Sequence, residues 1–221
     1  PEALAAHAGR GPDALMQVAA ADSAAFEVLL AKRKVAALLA GPALGLDAMA
    51  ESIVMAALRS AAPLVLDADA LTLLAGSPAL LAERLGRRSA STVLTPHEGE
   101  FERVFGRQGA FSPERSRLVR ARAAAAAIGA VVVLKGPDSV IAAPDGRAAI
   151  NATGSPALAT AGSGDVLGGV VAGLLAQGMP GFEAACAAVW LHGKAGEALG
   201  FGLIADDLPE ALPGALRRVA G

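Results

Sequence analysis

Short, continuously apolar runs alternate along this chain with longer segments in which apolar positions recur every three or four residues. A run of four to six residues that is apolar throughout suits a strand buried on both faces. Residues 35–40, 64–68, 92–95 and 131–135 are read as such strands. Helical spacing over 20–31, 47–60, 98–105 and 113–128 predicts the helices between them, the last opening on Ser112 as N-cap with Pro113 at the first helical position. This alternation predicts an α/β fold, a mainly parallel sheet covered by helices. Beyond residue 135 the pattern changes. Residues 139–143 and 148–151 flank the turn Pro144-Asp145-Gly146-Arg147 and read as a hairpin, giving the sheet an antiparallel edge. A loop rich in Gly, Ser and Thr then leads into helices over 164–177 and 181–199 and a last one near 208–219. Without an internal repeat or a linker, residues 1–221 are expected to form one domain.

Composition narrows the class. Of 221 residues, 54% are hydrophobic and 18% charged, which excludes a disordered chain. Nineteen basic residues against 21 acidic ones give a net charge of −2, and the densest basic cluster is Lys32-Arg33-Lys34, so no nucleic-acid partner is expected. The apolar stretch 166–176 stops at Gln177 and soon meets Pro180, short of the roughly 20 residues a membrane span needs, so no membrane association is expected. Cys186 is the one cysteine, which leaves no disulfide framework and points to a reducing, cytoplasmic setting.

Chemistry-bearing residues gather after the predicted strands. In the segment from Asn151 to Gly169, a loop containing Thr160, Gly162, Ser163 and Gly164 runs into a helix at Asp165. Free backbone N–H groups at the positive end of a helix dipole form an anion site, most often for phosphate. No Gly-Lys-Ser/Thr follows, and Gly162-x-Gly164 lacks the third glycine of a dinucleotide loop. An acid beside such a site suits a base that deprotonates a hydroxyl attacking phosphorus, although Asp165 is equally suited to capping the helix. Lys135, followed by Gly136-Pro137-Asp138-Ser139, ends a strand where α/β sheets meet their ligands; alone it reads as a solvated lysine. In Thr95-Pro96-His97-Glu98-Gly99-Glu100-Phe101, His97 and Glu100 stand three apart and can share a helical face. Glu100 could order the water shell of a Mg²⁺ ion, or the segment could be a capping box. Asp67 and Asp69 end another strand, and Gly41-Pro42-Ala43-Leu44-Gly45 follows the first. His7, Cys186, Trp190 and His192 are assigned to packing or surface.

In this order these segments resemble the ADP- or ATP-dependent NAD(P)H-hydrate dehydratase family of the ribokinase-like superfamily, from about residue 35 to residue 200. Thr95 to Phe101 and the Gly-Ser-Gly-Asp-Val-Leu loop carry the resemblance most specifically. It implies a ribokinase-like three-layer α/β/α fold and repair of hydrated NADH or NADPH at the expense of ADP or ATP, with Mg²⁺. By the same resemblance Gly45, His97 and Asp165 would contact the hydrated nucleotide, Asp165 as catalytic base. Lys135, Gly136, Pro137, Asp138, Ser139, Thr160, Gly162, Ser163 and Gly164 would hold the adenine nucleotide, and Glu100 would organise Mg²⁺ through water. A homo-oligomer is expected. Alternatives in the same superfamily are a vitamin or small-alcohol kinase, or a truncated nucleotide-binding domain without turnover. Ala43 stands where the family usually has glycine, and Lys-Gly-Pro-Asp-Ser replaces the usual Lys-Gly-Ala-x-Thr, leaving Ser139 to supply the hydroxyl and putting Asp138 near phosphates. The family's opening strand, glycine loop, helix and strand precede anything in this chain, so an N-terminal unit is expected to be missing, and an epimerase domain could lie upstream.

Overall fold

The structure, a computed structural model, describes residues 15–220; the assignment of His7 lies outside them. In chain order come α1 (Ser23–Lys32), β1 (Leu38–Ala40), α2 (Ala48–Arg59), β2 (Leu64–Leu66), α3 (Asp69–Leu73), α4 (Pro78–Gly86), β3 (Thr92–Leu94), α5 (Glu98–Phe105) and α6 (Arg117–Ile128). Then follow β4 (Val131–Leu134), β5 (Val140–Ala142), β6 (Ala148–Ile150), α7 (Ser163–Ala176), α8 (Gly181–Leu199) and α9 (Asp207–Ala220), with short 3₁₀ turns at Gly109–Phe111 and Pro156–Leu158.

The six strands lie side by side in chain order. The first four are parallel, with Leu38 opposite Leu64, Leu64 opposite Thr92 and Val93 opposite Val131. The hairpin β5–β6 runs antiparallel to β4, with Val133 opposite Ile141, and forms the expected antiparallel edge.

That order decides where the helices go. Parallel strands joined in sequence by right-handed crossovers put every connecting helix on one face of the sheet. Leu64, Leu66, Leu94, Val132 and Leu134 accordingly pack with α2 through α6, including Val54, Leu71, Leu81, Phe101 and Ile128. Successive strand side chains point to opposite faces, so Val65, Val93, Val131, Val133 and Ile141 face the other way. They are covered by Leu167, Val171 and Leu175 of α7 and Ala184, Ala188 and Val189 of α8. The result is an α/β/α sandwich.

Several element ends fall one to three residues inside the sequence reading, such as β2 ending at Leu66 and α1 starting at Ser23, and two differences have a visible cause. Residues 35–37 do not pair, and β1 begins at Leu38, whose N–H donates to Pro63 O. The helix expected from Ser112 starts at Ser116 instead. Ser112 Oγ accepts the N–H of Glu114 and Ser112 O that of Arg115, closing a separate turn, while Ser116 Oγ accepts from Val119 as the true cap. Helices α3 and α4 were not expected.

Candidate functional site

The carboxyl ends of β1 to β4 converge on one edge, and backbone bonds lock their loops together. Asp67 N–H donates to Ala40 O, Thr95 N–H to Leu66 O, and Lys135 N–H to Pro96 O. A side-chain carbon on Gly41 would overlap the Asp67 carbonyl oxygen, so only glycine lets the first turn lie this close to the second. Gly45 N–H donates to Asp69 Oδ2 at 2.8 Å, which ties the far end of that turn to the start of α3. Ala43 and Ala68 both sit at positive φ, 53° and 49°, conformations that cost a non-glycine residue roughly 1–3 kcal/mol.

Lys135 is the hub of this edge. Its Nζ donates to Asp67 Oδ1 at 2.8 Å and lies 3.8 Å from Glu100 Oε2. The Asp67 side chain is 1% exposed and that of Lys135 18%, so neither is a solvated turn residue. Burial pushes the Asp67 carboxyl above the usual carboxylate range; Lys135 pulls against this and Glu100 adds to it.

His97 and Glu100 form a reciprocal capping box at the start of α5. His97 Nδ1 accepts the N–H groups of Gly99 and Glu100 at 3.0 and 3.3 Å, and Glu100 Oε2 accepts that of His97 at 2.7 Å. Since Nδ1 accepts, the neutral ring carries its hydrogen on Nε2, which stands 3.4 Å from Glu100 Oε1. The half-exposed imidazole is thereby fixed against Glu100, which is itself buried and 3.8 Å from Lys135 Nζ. Both ring nitrogens are thus engaged locally, Nδ1 by the cap and Nε2 beside Glu100, while half of the ring surface stays open to the cleft edge.

From the opposite face, the glycine loop brings the N-terminus of α7 to this edge. A side-chain carbon on Gly164 would stand 3.2 Å from Lys135 Nζ and 3.9 Å from Asp67 Oδ2. Gly162, left-handed at φ 82°, is the N-cap of α7, and no side chain caps this end. Asp165 is therefore the third helical residue and not the cap, and its side chain is exposed. First-turn amides have no carbonyl inside their own helix to bond. Ser163 N–H bonds Thr160 O at 3.3 Å, which shapes the loop.

His192, assigned above to packing, is buried on α8 and also holds this loop. Its Nε2 lies 3.1 Å from Ser163 Oγ and 3.0 Å from Ser163 O. A carbonyl only accepts, so Nε2 bears the hydrogen. Burial lowers the imidazole pKa, opposed by the bond to Ser163 and assisted by the charge of Lys135. The adjoining Gly193 and Gly196 let the loop approach, because side-chain carbons there would overlap Thr153 and crowd Leu158.

In the turn after β4, Ser139 Oγ accepts from Gly136 N–H at 3.1 Å and donates to Gly136 O at 3.0 Å, so its hydroxyl closes the turn. Asp138 Oδ1 lies 2.9 Å from Arg117 Nε. Arg117, which the sequence reading missed, also donates to Leu134 O at 2.8 Å and Glu98 Oε2 at 3.0 Å. Pro137 lies on the surface.

Among the described residues no group of three or more His, Cys, Asp or Glu could hold a metal by itself. Glu100 and Asp67 nevertheless offer oxygen donors of the kind Mg²⁺ takes, and this ion is usually held by one or two carboxylates together with water and phosphate oxygens. The donor set fits such an ion bound through water. A cleft of about 550 Å³ lined by Glu27, Lys34, Arg59 and Pro63 lies at the opposite, amino ends of β1 and β2 and contains none of these groups. Among the described residues no helix is long and apolar enough to cross a membrane.

Comparison with known proteins adds to this geometry. Residues 4–211 match a protein-family profile described as NAD(P)H-hydrate dehydratase. The ADP-dependent (S)-NAD(P)H-hydrate dehydratase of Neisseria meningitidis is 47% identical over 137 residues, 62% of this chain and 45% of that protein. The ADP/ATP-dependent NAD(P)H-hydrate dehydratase of Bacillus subtilis, co-crystallised with ATP and Mg²⁺, superposes with a TM-score of 0.71 at 34% identity, covering 82% of this chain and 64% of that one. A ribokinase-like superfamily protein from Enterococcus faecalis gives a TM-score of 0.72 at 28% identity over 89% of this chain and 68% of that one. The chain thus spans less than half of the Neisseria relative and about two thirds of these solved structures.

Proposed function

This chain belongs to the NAD(P)H-hydrate dehydratase family and has its ribokinase-like fold, and from that premise we propose that it converts hydrated NADH or NADPH back to the reduced cofactor at the expense of ADP or ATP. The observation that carries the reading is the meeting of Gly164, at the uncapped start of α7, with Lys135. A cationic side chain and a helix N-terminus there face the same space, as a transferring phosphoryl group requires. Asp165 stands one residue beyond, its carboxylate not spent on capping.

In this mechanism Asp165 takes the proton of the ring hydroxyl, and the resulting alkoxide oxygen attacks the terminal phosphorus of the nucleotide, whose shortened form leaves as AMP or ADP. The nitrogen lone pair of the ring then expels phosphate by breaking the C–O bond, and loss of a proton from the neighbouring carbon restores the double bond. Phosphate is a far better leaving group than hydroxide. The first-turn amides of α7 and Lys135 stabilise charge on the transferring group, while the turn from Gly136 to Ser139 and the loop at Thr160, Gly162 and Ser163 hold the nucleotide. His97 and Gly45 line the side of the hydrated ring. Glu100, with Asp67 behind it, would hold Mg²⁺ through water, and the ion would supply charge neutralisation on the phosphates.

Incubation with hydrated NADH, Mg²⁺ and ADP or ATP, followed by product identification, tests the reading. The expected products are reduced cofactor and free phosphate in equal amounts. A stable phosphorylated alcohol would instead make the protein a kinase.

A further inference from the structure

Asp138 sets a carboxylate three residues from Lys135, in the turn that the proposed function gives to the nucleotide. An unneutralised acid there would repel phosphate oxygens. The Arg117 guanidinium faces that carboxylate and two further acceptors at once: Asp138 Oδ1 at 2.9 Å, Glu98 Oε2 at 3.0 Å and the carbonyl at the end of β4 at 2.8 Å. Glu98 is itself paired with Arg120, a buried arginine whose Nε donates to Phe111 O and whose guanidinium lies 4.7 Å from the centre of the Phe101 ring. Two cations thus face two acids. If Arg117 is removed, Glu98 keeps Arg120, and Asp138 is left alone.

The local geometry favours arginine, although the charge facing Asp138 is what the masking needs. A planar fork can serve a carbonyl and two carboxylates together, which a lysine ammonium at the end of a flexible chain does less well. The guanidinium lies so close under Gly136 that a side-chain carbon on that glycine would overlap it, and three anchors restrict its retreat. Arg117 Nε approaches Asp138 without the alignment of a hydrogen bond, so this contact is one of charge, whereas the bonds to Leu134 and Glu98 hold the guanidinium in place.

We propose that Arg117 is a positioning residue that masks the charge of Asp138, so that the turn from Lys135 to Ser139 can accept a nucleoside diphosphate or triphosphate despite its acid. The proposal rests on the nucleotide reading given above. It makes Asp138 the partner of Arg117 and not a ligand of the nucleotide.

Calorimetric titration of the chain with ADP and Mg²⁺ reads this without turnover. Arg117→Gln is expected to weaken ADP binding about two- to fivefold, and adding Asp138→Asn to recover most of the loss. The effect of Asp138→Asn should be several times larger in the Arg117→Gln background than in the wild type. A purely structural Arg117 would show no such recovery, because its bonds to Leu134 and Glu98 stay broken in the double variant. Arg117→Lys, which keeps the charge, should retain most of the affinity and serves where Arg117→Gln does not fold. Loss of affinity in either Arg117 variant that Asp138→Asn leaves untouched would overturn the proposal alone. Failure of the wild type to bind ADP would overturn the nucleotide reading and the proposal with it.

Discussion

Lys135, at the end of β4, reaches across the sheet edge to Asp67, at the end of β2, with Nζ and Oδ1 2.8 Å apart. Because the carboxylate is almost fully buried, the pair is worth most when both members are present. Lys135→Met should cost about 3 kcal/mol of stability, the lower end for such pairs since Lys135 keeps some contact with water. Adding Asp67→Asn should recover most of it. Chemical denaturation of the three proteins checks both expectations.

Asp165→Asn should lower turnover by at least about a hundredfold, the range of a lost general base. Because Asp165 is not the cap of α7, stability should change by less than about 1 kcal/mol. Phosphate release and thermal melting, measured on the same preparation, separate the two effects.

His97 caps α5 through Nδ1, and the proposed function gives the exposed part of its ring a second task, in binding the hydrated cofactor. His97→Ala should cost about 1 kcal/mol through the lost cap and also raise KM for the hydrated cofactor. His97→Ser, which can cap equally well, should restore stability but not KM. A serine variant that regains both would show that the ring has no part in binding.

The His192 imidazole has its pKa lowered by burial. Between that depressed value and the ordinary value near 6.5, the unfolded chain binds a proton that the native one does not, so stability rises with pH there. His192 therefore contributes most above the ordinary value, and its contribution falls as the pH drops through the native value. Wild type should lose stability relative to His192→Gln as pH falls from 7 to 5, read from denaturation midpoints across that range.

Ala43 holds a left-handed conformation, φ 53°, that alanine adopts at a cost. Ala43→Gly should stabilise the protein by about 0.5–1 kcal/mol, the strain relieved less the added freedom of glycine in the unfolded chain. A melt no higher than that of the wild type would mean that the turn is not strained.

Much of this fold was legible because its strands are buried on both faces, which forces runs such as Val131 to Leu134 to be wholly apolar. The helix over Gly181–Leu199 was read to its ends, bounded by Pro180 and Gly200. Helix α3 escaped because five residues are too short to show a period. Helix α4 carries at Ser77-Pro78 the same signature that misplaced a helix start at Ser112, so local signals alone did not tell a helix start from a tight turn. The gathering of Asp67, His97, Glu100 and Lys135 at one sheet edge was legible because each follows a recognisable strand. Arg117 was not, because a long side chain from the start of a helix reaches a turn about twenty residues further on. His192 sits at a helix position that a leucine could fill, and only the approach of Ser163 reveals its second task.

The most direct test of the central claim supplies hydrated NADH with Mg²⁺ and ADP or ATP and follows the return of the absorbance of reduced nicotinamide. The account predicts recovery that depends on the nucleotide and nearly disappears in Asp165→Asn. No recovery from a chain that binds ADP, or equal recovery by the variant, would contradict it.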